Sequence, residues 1–230
     1  MVEAIKRRYD NSRREAQVRA TRLKVIDVAK TLFIQDGYPA TTIEAIAEAS
    51  DTALPTLYRL FGTKRALLKA VLDTSFVGDD EPVTFGDRPQ VRAALSSADP
   101  EALIDTFAVI CRELQDRTCA VHHVLATAAV VDDEAADLLA EVRRQAHTGR
   151  SRIVAALRKM DALDPALTRR EAEDIVYTCL SFEVAHILTV ERGWNGAQYE
   201  AWISRSLRSL LRPDRPERAR SRTRRPAKEA

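Results

Sequence analysis

The chain has 230 residues, 45% of them hydrophobic and 30% charged, with a formal net charge of +2. Glycine and proline are scarce beside Ala, Leu, Arg and Glu, which points to an all-α protein. Cys111, Cys119 and Cys179 have no framework spacing, no apolar run reaches membrane-span length, and no apolar stretch follows Met1. A disulfide-stapled, membrane-bound or exported chain is therefore not expected; a cytoplasmic one is.

The charge is unevenly spread. Basic residues outnumber acids in 1–21 and 212–230, while 81–211 is net acidic. Basic ends suit a polyanionic partner, and they equally suit two solvated tails.

In chain order, residues 1–21 read as a basic N-terminal arm or a frayed helical extension. From Arg22 a helix is predicted, with Val25, Val28, Ala29, Leu32 and Phe33 on one face and Gly37 as its stop. "TTIEAIAEA" predicts a second helix, where Thr41 and Glu44 have capping-box spacing and Ile43, Ile46 and Ala47 form the buried side. The short connection "SDT" leads into a third helix at about 54–60, with Leu57 and Phe61 inward. Pro55 is tolerated in its first turn, where a missing N–H costs no intrahelical bond. A fourth helix follows Thr63, its predicted N-cap, with Leu67, Leu68, Val71 and Leu72 as its stripe.

"VGDDEPVTFGDRP" (77–89) interrupts the pattern with Gly, Pro and Asp. The predicted domains are 22–75, a flexible loop over 76–89, a helical bundle over 90–212, and a disordered basic tail over 213–230. Within the bundle, helices are predicted near 100–117, 120–131, 133–160, 168–192 and 197–211. Thr168 and Glu171 have the spacing of a capping box.

Two short helices joined by about three residues, the second too polar to be core, form a helix-turn-helix pattern. Such a helix enters the major groove, offering base contacts at its tip and phosphate contacts along its flanks. Residues 25–72, with "LF…GY", "TT…IA", "TLY..F" and "K..L" at matching spacing, resemble the DNA-binding domain of the tetracycline-repressor (TetR) family. The resemblance implies phosphate contacts from Thr42, Tyr58 and Lys64. It places Leu54, Pro55, Thr56 and Leu60 towards base edges, an apolar set suited to thymine methyls, with Arg59 beside them as a further base contact that could equally reach a phosphate. Arg7, Arg8, Arg13 and Arg14 of the arm would reach a neighbouring minor groove. The sequence departs from the family at Asp51, where glycine is usual, and at Thr52 and Ala53, where Val and a capping Ser are usual.

The resemblance makes the remainder an effector-binding and dimerisation domain, with Phe107, His122, Tyr177 and Phe182 as candidate pocket residues. Leu188, Leu207, Leu210 and Leu211, on the last two helices, are the candidate dimer contacts. The implied partners are double-stranded DNA with a palindromic operator, a small and largely apolar effector, and a second copy of the chain, on the nucleoid. Repression relieved by an effector is the expected function; activation, or a helical binding module without DNA binding, are the other readings. No catalytic motif is found, so no enzyme, cofactor or metal is expected. Cys119/His122/His123 and Glu183/His186 have ligand-like spacings, for which a buried or capping His is the simpler account.

Overall fold

The computed structural model describes residues 2–77 and 85–212, with side chains over 13–76 and 86–212. Among them there is no strand, and no helix is long and apolar enough to cross a membrane. Helix α1 runs Val2–Asp36, α2 Ile43–Ala49, α3 Leu54–Phe61 and α4 Lys64–Val77. A 3₁₀ turn at Phe85–Asp87 precedes α5 (Pro89–Leu95), α6 (Pro100–Ala128), α7 (Asp133–Lys159), α8 (Arg169–Cys179), α9 (Phe182–His186) and α10 (Gly196–Leu211). A single π turn, Ile187–Glu191, extends α9.

Several boundaries differ from the sequence reading. The second helix is capped by Thr42, whose hydroxyl accepts from the Ala45 N–H at 3.0 Å. Thr41 is instead buried, its hydroxyl donating to the Gly37 carbonyl. The predicted break near 118 is absent: Thr118 donates back to the Leu114 carbonyl and stays inside one continuous α6. The predicted helix 168–192 is broken at Leu180, because Ser181 caps a new helix by accepting from the Val184 N–H. The capping boxes at Thr168/Glu171 and at Asn195/Gln198 are both formed.

Two buried clusters hold the molecule. The first joins Val25, Phe33, Ile46, Leu57 and Leu68 of α1–α4 to Val121, Leu125, Leu138 and Val142 of α6 and α7. The second is built from Leu103, Phe107, Ile153, Leu157, Val176 and Ile203 further along the bundle. The predicted division near 76–89 is thus no division of the core: α1–α4 are completed by the near end of the bundle. Polar ties reinforce the seam, with Lys30 donating to the Arg117 carbonyl and Arg117 to that of Ser75. The segment 78–84, half of the predicted loop, and the tail 213–230 lie outside the described residues.

Candidate functional site

Helix α3 is short and two-sided, with an apolar inner side and Pro55, Tyr58 and Arg59 on its outer face. Leu57 (1% exposed) and Phe61 (9%) lock its inner side into the first cluster. Arg22 of α1 clamps its end, donating to the Leu60 carbonyl at 3.3 Å while its guanidinium sits 4.7 Å from the Phe61 ring centre. Pro55, Tyr58 and Arg59 are left outward, at the i, i+3, i+4 spacing of one helix face. Arg59 makes no ion pair or hydrogen bond with any described residue.

The set placed towards base edges is therefore split. Leu54 and Leu60 pack partly against the core, Thr56 lies on the flank, and Pro55 and Arg59 project from the surface. Leucines at the edge of the inner stripe are drawn in because burying their apolar surface is favourable.

The turn into α3 carries both family departures as physical costs. Asp51 adopts φ +47°, a left-handed conformation that favours glycine. Ala53 occupies the N-cap with no side-chain hydrogen bond. Ala53→Ser should raise stability by about 1 kcal/mol through the missing cap. Chemical denaturation would check this, and a fall in midpoint would refute it.

Lys64, one of the expected phosphate contacts, opens α4 and reaches back to the turn that precedes α2. Its Nζ lies 4.3 Å from the Tyr38 ring centre and 3.4 Å from the Pro39 carbonyl. Burial pulls the Lys64 pKa down, with Asp132 opposing. Burial pushes that of Tyr38 up to about 12, reinforced by Asp132 and Glu134. Thr42 is exposed at the N-terminus of α2, three residues beyond Pro39. Thr42 and Lys64 are thus brought to one edge of the domain, with Tyr58 on the outward face of α3. Arg13 and Arg14 are exposed on α1; the side chains of Arg7 and Arg8 lie outside the described residues.

In the bundle, a cleft of about 250 Å³ opens between α6 and α9. Of the four pocket candidates, His122 and Phe182 line it; Phe107 and Tyr177 do not. Phe107 is core, because its face of α6 points into the second cluster. His122 stacks on Phe182 with ring centres 4.1 Å apart, and Phe182 meets Phe76 of α4 edge-on at 5.7 Å. This aromatic file links the cleft to the helix that carries Lys64.

The cleft also gathers Cys119, His123, Glu183 and His186. Yet among the described residues no three Cys, His, Asp or Glu groups converge closely enough for an ion. The His123 and His186 rings stack 4.4 Å apart at 3°, so their in-plane lone pairs run parallel rather than meeting at a point. Glu183 is engaged by Arg143 at 3.0 Å.

Burial pulls the His122 pKa down to about 4, against a smaller opposing pull from Glu183. A folded pKa below the unfolded value of 6.5 means the unfolded chain binds the extra proton. The stabilising effect is complete above pH 6.5 and is lost as pH falls from there towards 4. Urea melts across that window should show stability falling in the native chain and a flatter profile in His122→Asn. Identical slopes would exclude a buried neutral His122.

Sequence reading missed a second group deeper in the bundle. Arg150 of α7 donates to the Leu180 carbonyl at 2.5 Å and lies 5.1 Å from the Tyr177 ring centre and 5.8 Å from that of Phe182. Gln115 and Tyr199 are buried beside it and against each other, the Gln115 Oε1 and Tyr199 Oη atoms lacking a well-formed hydrogen bond. Burial pushes the Cys111 thiol up to about 12 and raises the Tyr199 hydroxyl as well, with Arg150 opposing in both. The available signal was a polar stripe on one side of α6: Cys111, Gln115, Thr118, Cys119 and His122 recur at helical spacing among buried apolar residues.

The four leucines assigned to a dimer face are also redistributed. Leu207 and Leu211 are fully buried in the chain's own core, and Leu188 packs partly against it. Leu210 is 48% exposed but shares the helix side of Ile203, at i, i+7. A groove of about 520 Å³ instead follows Trp194, Ala197, Gln198, Ala201 and Arg205 on the opposite side of α10.

Comparison with known proteins bears on these features. The family model described as "Bacterial regulatory proteins, tetR family" matches residues 25–71. The HTH-type transcriptional repressor ComR of Escherichia coli (strain K12) is 38% identical over 74 residues, which is 31% of this chain and 35% of that protein. The HTH-type transcriptional repressor KstR of Mycolicibacterium smegmatis is 35% identical over 86 residues, 37% of this chain and 38% of that one. The chain thus spans little more than a third of the length of these relatives. Among solved structures, NalD, the secondary repressor of the MexAB-OprM multidrug efflux pump in Pseudomonas aeruginosa, superposes with a TM-score of 0.62 at 17% identity, covering 86% of this chain and 99% of that one. The SmeT–triclosan complex gives 0.66 at 14% identity, covering 85% and 93%. At such identities the structures speak for the fold.

Proposed function

Taking as premise that this chain belongs to the TetR family of transcriptional regulators, we propose that it is an effector-responsive repressor that binds a palindromic operator as a homodimer. One observation carries the DNA-binding part: α3 is locked on its inner side and presents Pro55, Tyr58 and Arg59 outward, beside Thr42 and Lys64 at phosphate level. Helix N-termini and cations at that level fix register on the duplex, while the tip of α3 meets base edges.

The effector would enter the cleft beside His122 and Phe182. One of the similar structures is a complex with triclosan, and by analogy this cleft receives a small molecule. A displaced Phe182 would press on Phe76 and shift α4, changing the spacing of the two reading heads. Linkage then requires effector and operator to weaken each other by the same factor.

A two-fold dimer is the arrangement that reads a palindrome. The exposed groove on α10, together with Val190 at 61% exposed, supplies apolar surface for it. Ala201→Arg, at an exposed helical position, should leave the fold intact yet give a monomer in sedimentation velocity. A dimer that survives this change would put the contact elsewhere.

The function is tested by fluorescence anisotropy on duplex DNA from upstream of the gene, at two salt concentrations, against scrambled duplex. Sequence-selective binding that weakens steeply with salt is the expected result. Equal affinity for both duplexes would argue against an operator there. Dialysis under denaturing conditions and refolding, then repeating the titration, checks whether a retained effector was responsible.

A further inference from the structure

The half-buried guanidinium of Arg150 is the least explained group in the molecule. It lies within the bundle, between α6, α8 and α9, yet has no carboxylate within ion-pair distance among the described residues. Glu183, the acid whose field reaches it, is bonded to Arg143. Its one hydrogen bond goes to the Leu180 carbonyl at the break between α8 and α9. Two aromatic rings, Tyr177 and Phe182, lie against it. A half-buried cation without a paired anion leaves its charge uncompensated by the protein, and a guanidinium offers five N–H donors of which only one meets a protein acceptor here. Capping Leu180 alone does not require an arginine here.

The neighbours point the same way. Gln115 is 5% exposed and Tyr199 is 1% exposed, and the two side chains lie against each other, with the Gln115 Oε1 and Tyr199 Oη atoms lacking a well-formed hydrogen bond. Buried polar atoms in folded proteins are nearly always satisfied by protein, water or a bound group, so this pair calls for a further partner. A Tyr hydroxyl can donate to an anion, and a Gln amide can turn its NH₂ group to do so.

We propose that Arg150, with Gln115 and Tyr199, receives the head of a monoanionic effector, a carboxylate on an apolar body that lies against Phe182 in the cleft. This rests on the reading of the bundle as the effector-binding half. One guanidinium among neutral donors balances a single negative charge, and the nearby Glu183 carboxylate disfavours a dianion such as a phosphate monoester. The forked geometry of Arg suits a carboxylate's two oxygens. An anion drawing the guanidinium away from Leu180 would also loosen the α8–α9 break, and with it Phe182 and Phe76. Head recognition and the aromatic file towards α4 would then be one device.

The test uses a matched pair of fluorescent probes: 8-anilinonaphthalene-1-sulfonate, a monoanion with an aromatic body, and N-phenyl-1-naphthylamine, the same body without the charge. Both are titrated into the full chain, wild type, Arg150→Met, Arg150→Lys and the exposed control Arg144→Met. Wild type and Arg144→Met should bind the sulfonate at least tenfold more tightly than its neutral twin. Arg150→Met should bring the two within twofold by weakening the sulfonate alone, and Arg150→Lys should fall between. Equal affinity of wild type for both probes overturns the inference, as does a preference that survives Arg150→Met. If neither probe binds wild type, the effector cleft itself is refuted along with the inference, whereas the DNA titration stands apart. The wild-type comparison and Arg150→Lys keep the result readable should Arg150→Met fail to fold.

Discussion

Phe33→Ala should lower the melting temperature of the whole chain by about 6–20 °C, in a single transition. Phe33 is fully buried, with its ring centre 5.5 Å from that of Tyr38. Truncating such a side chain typically costs about 3–5 kcal/mol, from lost burial plus the cavity left behind. In a domain of this size each kcal/mol moves the midpoint by about 2–4 °C. The single transition is the sharper part of the prediction. The cluster that holds Phe33 also contains Val121 and Leu125 of α6 and Leu138 of α7, so the reading head has no complete core of its own. Differential scanning calorimetry decides it. If a low-temperature transition splits off and the rest melts where wild type does, α1–α4 form an independent unit. Ile34→Ala, one residue on but 42% exposed, is the control and should move the midpoint little.

That shared core also marks what the sequence could not disclose. The helix-turn-helix was legible because its signals are local. Gly37 stops a helix at φ +80°, Thr63 caps another by accepting from the Ala66 N–H, and Leu57 and Phe61 show the inner side of α3. The long bundle helices gave weaker signals. Nothing in "SFEVAH" announces that a serine starts a new helix inside an apolar run, because Leu180 is held by Arg150, thirty residues upstream. Likewise Leu207 and Leu211 carry the same apolar signal whether they face their own chain or another. Only the packing of α10 against α6 assigns them to the interior. Arg150 read as one arginine among many, since whether a charge is paired is decided by tertiary neighbours rather than by spacing.

Arg59→Ala should weaken binding to operator and scrambled duplex by a similar factor, and should make the salt dependence shallower. The sequence alone left Arg59 open to either a phosphate or a base. Its position in the structure decides the expectation. It lies in the last turn of α3, and recognition helices meet base edges chiefly through their N-terminal residues, leaving later ones to the backbone. It is exposed, with no protein partner to surrender among the described residues, so its whole charge is available to a phosphate. Each phosphate contact contributes about −0.9 to the slope of log affinity against log salt. Losing one contact in each head of a dimer should therefore flatten that slope by about 2. Thr56→Ala, on the flank of the first turn, should behave differently. Its methyl can meet a thymine methyl, so its loss should reduce operator affinity with little change on scrambled DNA or in slope. Anisotropy titrations of both variants at four salt concentrations separate the cases. A loss at Arg59 confined to the operator, with the slope unchanged, would make that arginine a base reader. The tip of α3 would then have to sit deeper in the groove than its half-buried Leu54 and Leu60 suggest.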